Sequence, residues 1–255
     1  MGANSKIQWT DATWNPWHGC TKVSPGCKYC YMFRDKERFK KDPTEVIRSA
    51  GKFNEPLNWG KHPVNNGMRI FTCSWSDFFI EDADAWREEA WQIIKETPQF
   101  TYQILTKRPE RIKDCLPADW GEGYPNVWLG VSIESQNQLY RIDPLVIIPA
   151  ALRFISFEPL IGPISLFDHD VNGVQWAIIG GESGNENGKY KYRPCELHWI
   201  ENLIDDMEMF GKQVFVKQLG TYLAKQGGLK DRHGGDWNEW PLDLQVRDIP
   251  ETQKV

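Results

Sequence analysis

The six residues Val-Trp-Leu-Gly-Val-Ser, at positions 127–132, set the fold class of this chain. The run is short, apolar and bounded by polar residues, as strands buried on both faces of a parallel sheet are. Similar runs lie on either side of it along the chain. They are Arg69–Cys73, Thr101–Thr106, Leu152–Phe157, Gln175–Gly180 and Gln213–Lys217.

Helical patterns separate these runs. Ala85–Lys95 and Glu196–Phe210 place apolar residues at helical spacing, and the second stops at Gly211, where a helix C-cap is expected. Repeated strand–helix–strand order predicts βαβ units and a parallel sheet. Together with Ile7–Trp14 the runs give about seven strands. We therefore expect an α/β fold, a partial or complete parallel (β/α) barrel.

Length and composition describe one ordinary globular domain. The chain has 255 residues, 40% of them hydrophobic and 25% charged, and a barrel of this length is usually a single domain. We expect the barrel over residues 1–226 and a polar, Gly-rich extension over 227–255. No run of about 18 apolar residues occurs, so no membrane span is predicted. The first residues lack the apolar stretch of a signal peptide, and we expect a cytoplasmic protein.

Three cysteines carry the clearest chemical signal. Cys20, Cys27 and Cys30 lie within eleven positions. A structural zinc site needs four ligands, and His18 could complete a Cys3His set. A 4Fe–4S cube held by three thiolates keeps one iron open for a reacting ligand. The cube is the favoured interpretation, because zinc sites usually pair their ligands in two separated sets.

Polar residues follow successive predicted strands. In parallel α/β folds such residues gather at one edge of the sheet, so we expect one converging site beside the cysteine loop. Its candidate residues are Cys73, Ser74, Asp77, Thr106, Lys107, Arg108, Ser132, Glu134, Glu158, Gly180, Gly181, Glu182, Lys217 and Gln218.

Several motifs together resemble a known family. The sequence reads WTDATWNPWHGC at 9–20, CKYC at 27–30, ISFEPL at 155–160 and GGESG at 180–184. In combination they resemble the phage- and prophage-encoded three-Cys-motif proteins, which are similar to radical S-adenosylmethionine (SAM) enzymes. The resemblance covers roughly residues 5 to 220. Six residues separate Cys20 from Cys27, where radical SAM enzymes typically have three.

The resemblance implies a reaction class. Cys20, Cys27 and Cys30 would hold a 4Fe–4S cluster whose open iron binds SAM, and Tyr29 would cover its open side. Reductive cleavage of SAM would give a 5′-deoxyadenosyl radical that abstracts hydrogen from a substrate. SAM contacts are expected among strand-end residues, with solvent-facing loops or tight turns as the alternative. They are Ser132, Glu134, Glu158, Gly180, Gly181 and Glu182.

Three further residues are candidates for catalysis. The Cys73 thiol could donate hydrogen to a substrate radical, although a buried core cysteine is the commoner case. Lys107 and Lys217 could hold a phosphate or carboxylate, or could simply lie at the surface.

The substrate is not identified by the sequence. The phage setting that the resemblance implies points to a nucleotide, a modified nucleobase or DNA, and the chemistry requires an electron donor of the reductase or flavodoxin type. The net charge of −5 argues against strong, nonspecific binding to a nucleic-acid backbone. The alternative from another class is a zinc-stabilised, non-catalytic phage accessory protein or nucleic-acid-binding module.

Overall fold

A computed structural model describes residues 5–167 and 169–251. Seven parallel strands form one sheet that curls into a half-barrel. In spatial order the strands are β1 (Ala12–Trp14), β4 (Arg69–Thr72), β5 (Thr101–Thr106), β6 (Val127–Ser132), β7 (Leu152–Leu160), β8 (Trp176–Gly181) and β9 (Gln213–Gln218). The remaining two strands, β2 (Trp17–His18) and β3 (Ile47–Arg48), form a separate antiparallel pair. The expectation of a partial parallel barrel is confirmed.

Six α-helices accompany the sheet in the described ranges. They are α1 (Tyr31–Arg38), α2 (Glu55–Trp59), α3 (Asp84–Glu96), α4 (Ile142–Val146), α5 (Leu197–Met209) and α6 (Gly220–Gln226). Helix α5 buries Ile200, Leu203, Ile204 and Met207, the spacing of one apolar face. Gly211, with φ of 67°, follows its end in the left-handed conformation that glycine adopts easily.

The concave side of the sheet is closed at one end by aromatic rings. Trp9 lies against Phe71 with ring centroids 4.7 Å apart and against Trp176 at 6.2 Å. These rings belong to a buried cluster inside the half-barrel, separate from the larger core between the sheet and its helices. The concave side is therefore filled near Trp9, and open space remains towards the carboxyl ends of the strands. The other buried members of the inner cluster are Trp128, Leu152, Phe154, Ile178 and Phe215.

The C-terminal segment packs onto the edge of the sheet. The Val216 amide donates to the Val246 carbonyl at 2.8 Å, and the Asp248 amide donates to that of Val214 at 2.8 Å. Trp240 and Leu244 are buried in the main core. The predicted extension over 227–255 thus joins the core in its described part, and residues 252–255 lie outside the described residues. The domain boundary at 226 stays a prediction.

No helix in the described part of the chain is long and apolar enough to cross a bilayer.

Candidate functional site

A cavity of about 620 Å³ opens at the carboxyl ends of the parallel strands. This volume is typical of sites for small ligands or cofactors. All three predicted cluster ligands, Cys20, Cys27 and Cys30, line the cavity. So do further residues singled out from the sequence, namely Tyr29, Cys73, Lys107, Ser132, Glu158, Glu182 and Lys217.

The cysteine loop ends at a helix N-terminus. Cys30 is the N-cap residue of α1, and its thiol lies near the backbone N–H groups of Met32 and Phe33 without a capping hydrogen bond. Burial nevertheless raises the pKa of Cys30, and those N–H groups oppose the rise. The helix start therefore provides N–H groups that favour a thiolate at this position.

Arg108 holds the first part of the loop from the end of β5. Its guanidinium donates to the Thr21 carbonyl at 3.1 Å and lies 3.7 Å from the Cys20 sulfur. It also pairs with Asp77 at 3.2 Å. Burial, helped by the Asp77 charge, raises the pKa of Cys20 to about 12, and Arg108 opposes that rise.

Glu134 holds the middle of the loop from the end of β6. The Ser24 hydroxyl donates to one carboxylate oxygen at 2.6 Å, and Arg141 donates to the other at 2.9 Å. Glu134 is 0% and Arg141 1% exposed, so this ion pair is enclosed. Gly26 lies directly against it, because a Cβ at Gly26 would be 2.4 Å from the Glu134 Oε1.

Arg193 provides a third attachment. It pairs with Glu182 through both carboxylate oxygens and donates to the Pro25 carbonyl at 2.9 Å. Its guanidinium carbon lies 5.4 Å from the centre of the Tyr29 ring. The loop is thus attached to β5, β6 and the end of β8 by guanidinium and carboxylate groups.

Lys217 and Glu158 face each other across the cavity wall. The Lys217 ammonium lies 2.5 Å from the Glu158 carboxylate, and each side chain is about one-fifth exposed. Lys107 contacts Glu134 more loosely, with 3.7 Å between Nζ and Oε1. Two oppositely charged groups and one further cation therefore face the space beside the cysteines.

Cys73 has an unusual backbone conformation. It is buried and has φ of 61°, a value that non-glycine residues rarely adopt. Burial raises the pKa of its thiol well above the ordinary value. Cys73 thus reaches the cavity as a neutral thiol, the form from which a hydrogen atom can be donated.

Four predicted site residues do not line the cavity: Glu134, Gly180, Gly181 and Gln218, whose side-chain amide donates to the Gly181 carbonyl at 2.8 Å. Glu134 is turned towards Ser24 and Arg141, as described above. Gly180 contacts the Glu158 and Gln218 side chains, where an added Cβ would lie 3.4 Å from the Glu158 carboxyl carbon. Gly181 packs against the backbone of Leu219. These positions shape the surroundings of the cavity.

Some cavity and support residues were missed from the sequence. Ser156 lines the cavity two residues before Glu158, and the alternation of a strand could have revealed it, since residues i and i+2 share a face. Arg141 and Arg193 were also missed. They pair with Glu134 and Glu182, seven and eleven positions away, and no motif in the sequence marked either pair.

Within residues 5–167 and 169–251, no three His, Cys, Asp or Glu side chains converge closely enough to hold a metal ion. His18 and the three cysteines therefore do not form an assembled single-ion site.

The contact between Gly26 and Glu134 gives a first prediction. Gly26→Ala should lower the free energy of unfolding by about 1–3 kcal/mol, because the new methyl group overlaps a buried carboxylate that cannot move freely. Urea denaturation followed by tryptophan fluorescence measures the change. Gly51→Ala is the matched control, since a Cβ there meets nothing within 4 Å. Equal stability of the two variants would contradict the packing described here.

Residues 4–248 match the model of a family described as "Protein of unknown function (DUF5131)". No curated protein and no solved structure matches the chain.

Proposed function

Since the chain belongs to the DUF5131 family, whose description names no activity, we propose its function from the site: a radical-SAM-type enzyme. In this proposal Cys20, Cys27 and Cys30 hold a 4Fe–4S cluster. The observation that carries it is the placement of three free cysteines on one cavity at the carboxyl ends of a parallel half-barrel. In barrels of parallel strands that edge is where catalytic groups gather.

The donor set fits a cluster. Three thiols line one cavity, and in a 4Fe–4S cube three thiolates would each bind a different iron and leave the fourth iron open.

When bound, the cluster would supply the electron that cleaves the sulfonium of SAM into methionine and a 5′-deoxyadenosyl radical, which removes hydrogen from a substrate. The protein would contribute position and charge. Arg108 and the N-terminal N–H groups of α1 face Cys20 and Cys30 and favour their thiolate forms. Glu158 and Lys217 present a carboxylate and an ammonium to the cavity, groups that can pair with the amine and carboxylate of an amino acid.

Cys73 is proposed as a hydrogen donor. Its thiol lies in the cavity wall and its raised pKa keeps it protonated at neutral pH. The substrate class proposed is a nucleotide or nucleic-acid base, with an electron donor of the reductase or flavodoxin type. All six cysteines are free, which suits a reducing cytoplasm, the proposed location.

Anaerobic reconstitution tests the proposal directly. We expect a brown protein with about four irons per chain, the content of one 4Fe–4S cluster. Incubation with SAM and dithionite should then release 5′-deoxyadenosine, detected by chromatography. A colourless protein that carries one zinc ion per chain would refute the proposed function and favour a zinc-stabilised module.

A further inference from the structure

Three cavity residues occupy one row across neighbouring strands. Ser132 at the end of β6 lies in register with Ser156 of β7. Thr106 of β5 pairs with Val131, so Lys107, the next residue, comes level with Ser132. All three line the cavity. The row therefore presents one ammonium and two hydroxyl groups from consecutive strands.

The two hydroxyl groups have no protein partner. Ser132 is 1% and Ser156 2% exposed. Across the described ranges, neither side-chain oxygen takes part in a hydrogen bond, although the backbone carbonyl of each accepts one. Neither oxygen is among the enclosed polar atoms of the described residues that lack a partner, so both hydroxyl groups reach the open space of the cavity. Because both residues line the cavity, a ligand there can satisfy them.

The charges around the row leave one cation in excess. Four carboxylates surround this end of the sheet, and each has a close cationic partner. The pairs are Asp77–Arg108, Glu134–Arg141, Glu158–Lys217 and Glu182–Arg193. Among carboxylates in the described part of the chain, Lys107 pairs only with Glu134, at 3.7 Å, and that carboxylate already accepts from Ser24 and Arg141. The charge of Lys107 also acts on the Cys30 thiol, where it opposes the rise in pKa that burial causes. Lys107 is thus the strand-end cation whose charge is least compensated within the described part of the chain.

We propose that Lys107, Ser132 and Ser156 form a subsite for an oxyanion of the substrate, a phosphate or a carboxylate. Two hydroxyl donors and one ammonium match the oxygens of such a group and its negative charge. The nearby guanidinium groups of Arg108, Arg141 and Arg193 are occupied by carboxylates, so lysine supplies the charge. A neutral ligand group would leave the positive charge of Lys107 without a negative partner in the ligand.

That the bound anion belongs to a substrate rests on the proposed function. Anion binding itself requires neither iron nor SAM. The experiment therefore uses the iron-free protein. Inorganic phosphate, acetate and chloride are titrated separately at matched ionic strength, and backbone amide resonances of residues 131–133 and 155–157 are followed by NMR. We expect saturable shifts with phosphate, with acetate or with both, beyond those of chloride. Saturation by phosphate identifies a phosphoryl group, and saturation by acetate identifies a carboxylate.

Variants separate binding from folding. The double variant Ser132→Ala/Ser156→Ala and the single variant Lys107→Gln should each lower the affinity for the anion by about tenfold or more. This is the loss expected when charge-assisted hydrogen bonds are removed. The serine double variant should keep its thermal midpoint because, among the described residues, neither hydroxyl is a hydrogen-bond partner of another protein group. Lys113→Gln, at an exposed lysine in the following turn, is the matched control and should bind as the wild type does.

Three results would overturn the subsite: shifts no larger than with chloride, wild-type affinity in the serine double variant, or a marked fall in its thermal midpoint. The two proposals fail separately. A protein that forms a cluster but binds no anion refutes only the subsite, and one that binds phosphate but never takes up iron refutes only the enzyme.

Discussion

Replacing Cys20, Cys27 or Cys30 with Ala should abolish both the bound cluster and the release of 5′-deoxyadenosine. Each substitution removes one of the three proposed ligands, and an alanine side chain cannot bind iron. Iron content and visible absorption after anaerobic reconstitution measure the first effect, and chromatography of the nucleoside product measures the second.

Two other cysteine variants act as controls. Cys195→Ala should leave cluster and cleavage intact, since Cys195 is buried in the main core and does not line the cavity. Cys73→Ala should keep the cluster and SAM cleavage, because the proposed role of Cys73 comes later, at the substrate. Full iron content in all three single variants of the loop would refute the assignment of the ligands.

The second large effect concerns the enclosed ion pair beneath the loop. Arg141→Met should lower the free energy of unfolding by about 3–5 kcal/mol, because it leaves the Glu134 carboxylate buried without its guanidinium. Urea denaturation provides the measurement. The variant should also reconstitute less cluster, since Glu134 holds Ser24 in the middle of the cysteine loop.

A double variant separates charge from packing. Glu134→Gln/Arg141→Met removes the buried charge and retains an acceptor for Ser24, so it should recover part of the stability lost in Arg141→Met. If the double variant were as unstable as the sum of both single variants, the coupling between the two charges would be absent.

The sheet was largely predictable because its strands are buried on both faces. Val127–Ser132 was predicted with the bounds that the structure shows. A short, nearly continuous apolar run is typical of a strand that is buried on both faces of a parallel sheet. Ile7–Trp14 was too long as a strand. Only Ala12–Trp14 pairs in register with β4. The Thr10 amide donates to the Ile7 carbonyl in a local turn, and Trp9 packs into the cluster inside the half-barrel.

In the site, residues that line the cavity were easier to predict than the contacts that support them. Residue types and their positions at strand ends identified part of the cavity wall, including Lys107, Ser132 and Glu158. The supporting contacts were not accessible in the same way. Glu134 pairs with Arg141 and also accepts from Ser24, 110 positions away in the sequence, and side-chain pairing over that separation has no local pattern.

The three attachments of the cysteine loop have a thermodynamic consequence. In small zinc domains, metal uptake and folding are one event, and much of the binding free energy is spent on ordering the chain. Here Arg108, Glu134 and Arg193 fix the loop through contacts that contain no metal. Little conformational entropy would therefore be lost if the proposed cluster bound, and its measured affinity would reflect the coordination chemistry of the thiols with little contribution from folding.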